Sequence, residues 1–155
     1  MKNLATVLCL ASLLSTTGRT QISPKEVIGY FPSWKWETRN NLVIPAKLPF
    51  DKLTTINYAF FVPFPDGTIG GRDSTGDQMY LGGPRERTLI GQAHRQDVSV
   101  LLSLGGWSES DNFPVVASSP SLRAAFAHSC VETILRYGFD GIDVDWEYPG
   151  YAEHK

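Results

Sequence analysis

Residues 139–149 read FDGIDVDWEYP, and within them Asp143, Asp145 and Glu147 alternate with Ile142, Val144 and Trp146. Side chains on a β-strand point alternately to opposite faces. The three acids therefore share one face and the three apolar residues the other. Neighbouring acids are about 6.6 Å apart at Cα, from a rise of about 3.3 Å per residue. Three carboxylates that close in a partly buried site do not all ionise cheaply, so at least one holds a proton at neutral pH. Two bland readings compete: a solvated acidic strand, and a calcium or magnesium site built from carboxylates. Neither suits a strand that carries Ile, Val and Trp on its other face, because that face calls for cover. No metal and no cofactor is assigned.

Working outward, the chain repeats the theme of this strand. Val27–Phe31 (VIGYF), Thr54–Val62 (TTINYAFFV) and Val98–Leu104 (VSVLLSL) are apolar runs closed by Pro or Gly. Their continuous apolar character suits parallel strands covered on both sides. Helical patterns separate the later ones. Pro84–Gln96 carries Leu89, Ile90 and Ala93 at helical spacing. Ser121–Tyr137 carries Leu122, Phe126, Cys130 and Ile134 as one stripe, with Ser119 at the capping position, Pro120 in the first turn and Gly138 at the exit. Pro32–Leu53 reads as a long irregular connection with a short helix near Asp51, and Pro63–Gly83 as a long loop. The order β-loop-β-loop-α-β-loop-α-β builds βαβ units. Four such strands make either an open α/β sheet or half of an eight-stranded barrel.

The chain has 155 residues, 42% hydrophobic and 19% charged, with a net charge of -2, which describes a globular protein with no bias towards nucleic acid or an anionic membrane surface. The N-terminus stands apart. Lys2 precedes the apolar stretch Leu4–Leu14, and small and polar residues follow. This is the layout of a secretory signal peptide over residues 1–20, cleaved between Gly18 and Gln21, with the folded domain over 21–155. The stretch is too short to span a membrane, and the mature product is expected to be secreted, or periplasmic in a Gram-negative bacterium. Cleavage removes Cys9 and leaves Cys130 alone, so no intrachain disulfide forms.

The acids at the end of the fourth strand suggest their own chemistry. In βα barrels the reactive groups sit at the C-terminal ends of the strands. Glu147 is then the outermost acid, with Asp145 a step deeper and Asp143 deeper still. A two-carboxylate glycosidase needs its acid and its base or nucleophile on opposite sides of the scissile bond. Acids adjacent on one strand approach from the same side. They suit a substrate that supplies its own nucleophile, with one acid protonating the leaving oxygen.

Asp140-Gly-Ile-Asp143-Val-Asp145-Trp-Glu147 resembles the DxxDxDxE catalytic motif of glycoside hydrolase family 18, the chitinase family. Ser103-Leu-Gly105-Gly106-Trp107 resembles the family's SxGG motif. Val27–Trp34 and Ile56–Phe60 are similar to its first and second strands. The resemblance implies a partial TIM (β/α)8 barrel, about its first four βα units. It also implies a substrate-assisted retaining mechanism on chitin or N-acetylglucosamine oligosaccharides. Glu147 would be the acid and then the base, Asp145 would orient the 2-acetamido group and stabilise the oxazolinium intermediate, and Asp143 would share a proton or hydrogen bond with Asp145. Tyr30 and Ser103 would support the two aspartates. Phe60, Gly106 and Trp107 would line the sugar at the cleavage point, and Trp34 would stack on a sugar further along. Asp140 falls on the other parity and reads as structural. His94 and His128 receive no role.

A complete barrel takes about 250 residues. The resemblance places its later motifs on strands that this sequence does not contain, so the chain is expected to be the N-terminal part of such an enzyme and inactive alone. A sugar-binding relative without turnover and an endo-β-N-acetylglucosaminidase are the alternative activities.

Overall fold

The computed structural model describes residues 25–36 and 43–150. Residues 1–20, expected from the sequence to be a signal peptide, and the expected cleavage region lie outside the described residues. In chain order the elements are β1 (Ile28–Pro32), β2 (Thr55–Pro63), β3 (Ile69–Gly71), α1 (Ser74–Leu81), α2 (Leu89–His94), β4 (Ser99–Gly105), α3 (Phe113–Ser118), α4 (Pro120–Tyr137) and β5 (Gly141–Asp145). Four strands pair in parallel in the order β1-β2-β4-β5, and β3 turns back antiparallel onto the end of β2. This is the α/β plan of a partial TIM barrel.

The register sets the layers of the site. Tyr30 pairs with Asn57, Asn57 with Leu101, and Leu101 with Gly141. Two residues further along, Ser103 pairs with Asp143 and then Gly105 with Asp145. The outward side chains Ile56, Tyr58, Val100, Leu102 and Leu104 are buried against Tyr80, Leu89, Ile90, Ala93 and Cys130. Phe31 packs edge-on to Tyr80 at 4.7 Å and stacks on Tyr58 at 6.1 Å, joining β1 to that core. The helices thus cover one face of the sheet, and the polar residues point to the other.

Strict alternation would put Tyr58 and Phe60 on the same side. The register between β2 and β4 shifts between Tyr58 and Phe61. Such an irregularity inserts a residue and re-aims the side chains beside it. Tyr58 and Phe61 both join the core, while Phe60 leaves it.

Helix α4 follows its local signals. Pro120 opens it, and Gly138 closes it in the left-handed region (φ 84°), its N–H donating to Ile134 O. The Ser119 side chain does not cap the helix; its hydroxyl lies 2.8 Å from that of Ser121. Cys130 is buried, with Phe126 and Ile134 packed against the core.

Elsewhere the structure departs from the sequence pattern. The helix expected over Pro84–Gln96 is a 3-10 turn, Arg85–Arg87, followed by α2. Thr88 separates them in an extended conformation, and its hydroxyl accepts from Gly91 N at 3.0 Å, starting the second helix afresh. The expected loop Pro63–Gly83 contains β3 and α1. The strand has only three residues, two of them glycine, and no alternation reveals it. Helix α1 is short and starts at Asp73, whose carboxylate accepts from Gly76 N at 3.0 Å. Helix α3 is a further short element where a loop was expected. The fourth strand of the sequence reading stops at Asp145, so Glu147 stands in the loop beyond it. Val144, expected to pack under a helix, is half exposed.

Candidate active site

Three neighbouring strands converge on one oxygen. Asp143 Oδ2 accepts from Ser103 Oγ at 2.7 Å, Asn57 Nδ2 at 2.9 Å and the Tyr30 hydroxyl at 3.0 Å. Ser103 and Asn57 are buried, and Tyr30 reaches across from the layer below. Burial raises the Tyr30 pKa, which keeps its hydroxyl a donor.

Asp145 lies one step nearer the strand end. Its pKa is raised, first by burial, then by the charge of Glu147 and that of Asp143. The charges of both neighbouring acids thus act on Asp145, the middle one of the three. Tyr148 adjoins the outermost acid, and its hydrogen bond with Glu147 is the largest cause of its raised pKa.

The loop after β4 fixes the end of β5. Gly106 N donates to Asp145 O at 2.8 Å. Ser110 is fully buried; its hydroxyl accepts from Glu147 N at 3.0 Å and donates to Gly106 O at 2.9 Å. Both glycines of the Gly105-Gly106 pair have positive φ, 105° and 86°. A Cβ on Gly105 would lie 2.5 Å from Asp145 O, and one on Gly106 would lie 2.8 Å from the Phe60 ring. The loop therefore needs glycine twice, for conformation and for close approach.

Beside the acids is a cleft of about 470 Å³ lined by Trp34, Phe60, Gly106 and Trp107, with Arg72 and Glu109 among its polar residues. Trp34 stacks on Phe60 at 6.0 Å with planes 23° apart. Trp34 is 45% exposed and Trp107 67%, so neither ring is consumed by core packing. Arg72 and Glu109 form an ion pair at 3.2 Å.

The structure thus brings the nine sequence-predicted residues into two adjoining groups. Tyr30, Ser103, Asp143, Asp145 and Glu147 form the acid set, and Trp34, Phe60, Gly106 and Trp107 line the cleft. Asn57 and Ser110 were missed. Asn57 had a visible signal, a lone amide within an apolar strand. Ser110 had none, since its role depends on how the loop folds back. Asp140 points away from the site: its Oδ2 accepts from Val100 N at 2.7 Å and lies 2.8 Å from His94 Nε2. Exposed His128 pairs with Glu132 one helical turn on, at 3.2 Å. Among the described residues no group of three His, Cys, Asp or Glu is placed to hold a metal ion, and no helix is long and apolar enough to cross a membrane.

The parallel strands bring these acids to the C-terminal end of the sheet, beside an aromatic cleft, the end at which βα barrels carry their reactive groups. The sequence model of Glycosyl hydrolases family 18 matches residues 26–155, and the chain belongs to that family. It is 38% identical over 136 residues to Chitinase 1 of Aphanocladium album, covering 79% of this chain and 32% of the relative. It is 35% identical over 167 residues to Endochitinase 1 of Metarhizium anisopliae, covering 90% of this chain and 38% of the relative. Among solved structures, a mutant of the Group II chitinase catalytic domain 2 of Ostrinia furnacalis, in complex with penta-N-acetylchitooctaose (NAG)5, superposes with a TM-score of 0.68. That match has 30% identity and covers 80% of this chain and 32% of the other. The chain spans about a third of the length of the curated relatives it matches.

Proposed function

We propose that the barrel to which this chain contributes its first strands hydrolyses β-1,4-linked N-acetylglucosamine polymers by a substrate-assisted, retaining mechanism. Glu147 gives its proton to the glycosidic oxygen as the C1–O bond breaks. The carbonyl oxygen of the substrate's own 2-acetamido group bonds to C1, forming an oxazolinium ion. Asp145, holding a proton, orients that acetamido group and steadies the ion. Water then attacks C1 and passes its proton to the Glu147 carboxylate, restoring the acid. Asp143 balances Asp145 as its anionic partner, held by Tyr30 and Ser103. Phe60, Gly106 and Trp107 line the sugar at the cleavage point, and Trp34 stacks on one further along.

The observation that carries this reading is the three-donor grip on Asp143 beneath two further acids, Asp145 on the same strand and Glu147 in the loop just after it. It supplies a fixed carboxylate, a neighbouring acid whose pKa is raised and an outermost acid, all on one side of the bond. Acids that share one side of the bond work when the substrate brings its own nucleophile. The chitinase names of the relatives and the oligosaccharide bound to the Ostrinia domain support the substrate class. We further propose that the protein is secreted, on the pattern of residues 1–20, and that the 155-residue chain alone has no turnover. The exposure of Tyr30 and Trp107 supports the second point, because a glycosidase closes such groups around its sugar.

The test is hydrolysis of two oligomers of equal length by the complete barrel, one fully N-acetylated and one fully deacetylated. Cleavage of the first alone is the expected result. Equal cleavage of both would remove the acetamido group from the mechanism. Tight binding without product would make the protein a lectin-like relative.

A further inference from the structure

Asn57 stands in the middle of β2, in the apolar run Thr55-Ile-Asn-Tyr-Ala-Phe-Phe-Val, and is 5% exposed. Its amide nitrogen donates to Asp143 Oδ2 at 2.9 Å. Among the described residues its own Oδ1 is buried with no hydrogen-bond partner. A half-satisfied buried amide is a liability to a fold, and an apolar residue in the same place would not carry it. What Asn57 does that an apolar residue cannot do is donate to the deepest acid of the site.

We infer that Asn57 is a positioning residue for the hydrolysis, the fixed donor that holds Asp143 as the anion behind Asp145. The inference rests on the glycosidase reading above. Of the three groups on Asp143 Oδ2, two are hydroxyls, whose protons rotate towards whichever acceptor is nearest. The third is a planar amide on a buried strand. Its donor edge faces Asp143, and turning it over would set its oxygen against the carboxylate. Asn57 thus keeps one donor on Asp143 whatever the hydroxyls of Tyr30 and Ser103 do when a sugar enters.

Among the described residues the titratable groups facing Asp143 are Tyr30 from β1 and Asp145 on β5, with Glu147 beyond; β2 and β4 contribute the neutral Asn57 and Ser103. A carboxylate that loses a donor takes its proton at higher pH. Removing Asn57 is therefore read in the acid limb of the rate profile, a quantity that a purely structural role would leave in place.

The experiment measures kcat and KM against pH for chitooligosaccharide hydrolysis by the complete barrel carrying this chain, as parent, Asn57→Leu and Asn57→Asp, with the thermal midpoint of each. For Asn57→Leu the expected result is a midpoint no lower than the parent's, kcat down about tenfold with KM within about twofold, and an acid limb raised by about one pH unit. Asn57→Asp keeps the size of the side chain and sets a second carboxylate against Asp143, so its acid limb moves up further. Parent-like kcat and pH profile in either variant overturn this inference alone. So does an activity loss that follows loss of folded protein with the limb unmoved. A parent that turns over no N-acetylated oligomer overturns the glycosidase reading, and this inference with it.

Discussion

Asp143 lies on β5 and Asp140 just before its first residue, and each gathers its partners onto a single oxygen. At the start of β5, Asp140 accepts from the backbone of Val100 and lies against His94, which Arg85 contacts in turn at 3.1 Å. At its end, Asp143 accepts from three side chains of three strands, Tyr30, Asn57 and Ser103. The first arrangement ties α2 and β4 to β5, and nothing reactive adjoins it. The second ties down an acid beside two more acids and an open aromatic cleft. The residue type is the same; strand parity and the end of the barrel decide between a fastener and a chemical part.

The contrast is sharpest for Glu147→Gln in the complete barrel. It keeps the shape of the side chain and removes the transferable proton. Turnover is expected to fall by about 10²–10⁴-fold with the thermal midpoint unchanged. Asp140→Ala is expected to do the reverse. It leaves the buried Val100 N–H without its acceptor, costing about 1–3 kcal/mol in chemical denaturation, while kcat per folded molecule stays within about twofold. Loss of turnover from Asp140→Ala without loss of stability would erase the distinction between the two ends.

The aromatic cleft offers a smaller effect. Trp107→Ala removes an exposed ring and no core contact, so KM is expected to rise by about 3–10-fold with a lesser change in kcat, the size of one stacking contact.

A third acid, Asp77, extends the comparison beyond β5. Asp77, on α1, accepts from the Tyr58 hydroxyl at 2.7 Å. Burial, aided by the charge of Asp73 and opposed by the Tyr58 hydrogen bond, pushes its pKa up to about 6. A carboxyl raised in the folded state contributes stability that is fully present below its ordinary value near 4 and is lost as pH rises through about 6. In Asp77→Asn this dependence is expected to vanish. The midpoint of the parent therefore falls between pH 4 and 7 relative to the variant, as followed by thermal melts across that window.

The parallel strands were legible because each is an apolar run closed by Pro or Gly, and α4 because it combines a stripe with Pro120 and Gly138. The acid set was legible from alternation alone, and Asp140 fell outside it for the same reason. Phe60 was different. Alternation would have sent it to the core with Tyr58, and only the shift between Tyr58 and Phe61 turns it to the cleft. The small elements β3, α1 and α3 carry too few residues to show a period, and tertiary contacts make them. Ser110 was invisible because its three partners, Gly106, Asp145 and Glu147, meet only when the loop after β4 folds across β5.

In the proposed mechanism the acids at the end of β5 and in the loop after it work from one side, and the substrate completes the reaction from the other. Two displacements at C1, the first by the acetamido oxygen and the second by water, return the original configuration. Proton NMR of the first-formed product of a chitooligosaccharide, recorded before mutarotation, reads this directly. The β-anomer is the expected result; the α-anomer as the initial product would contradict the account.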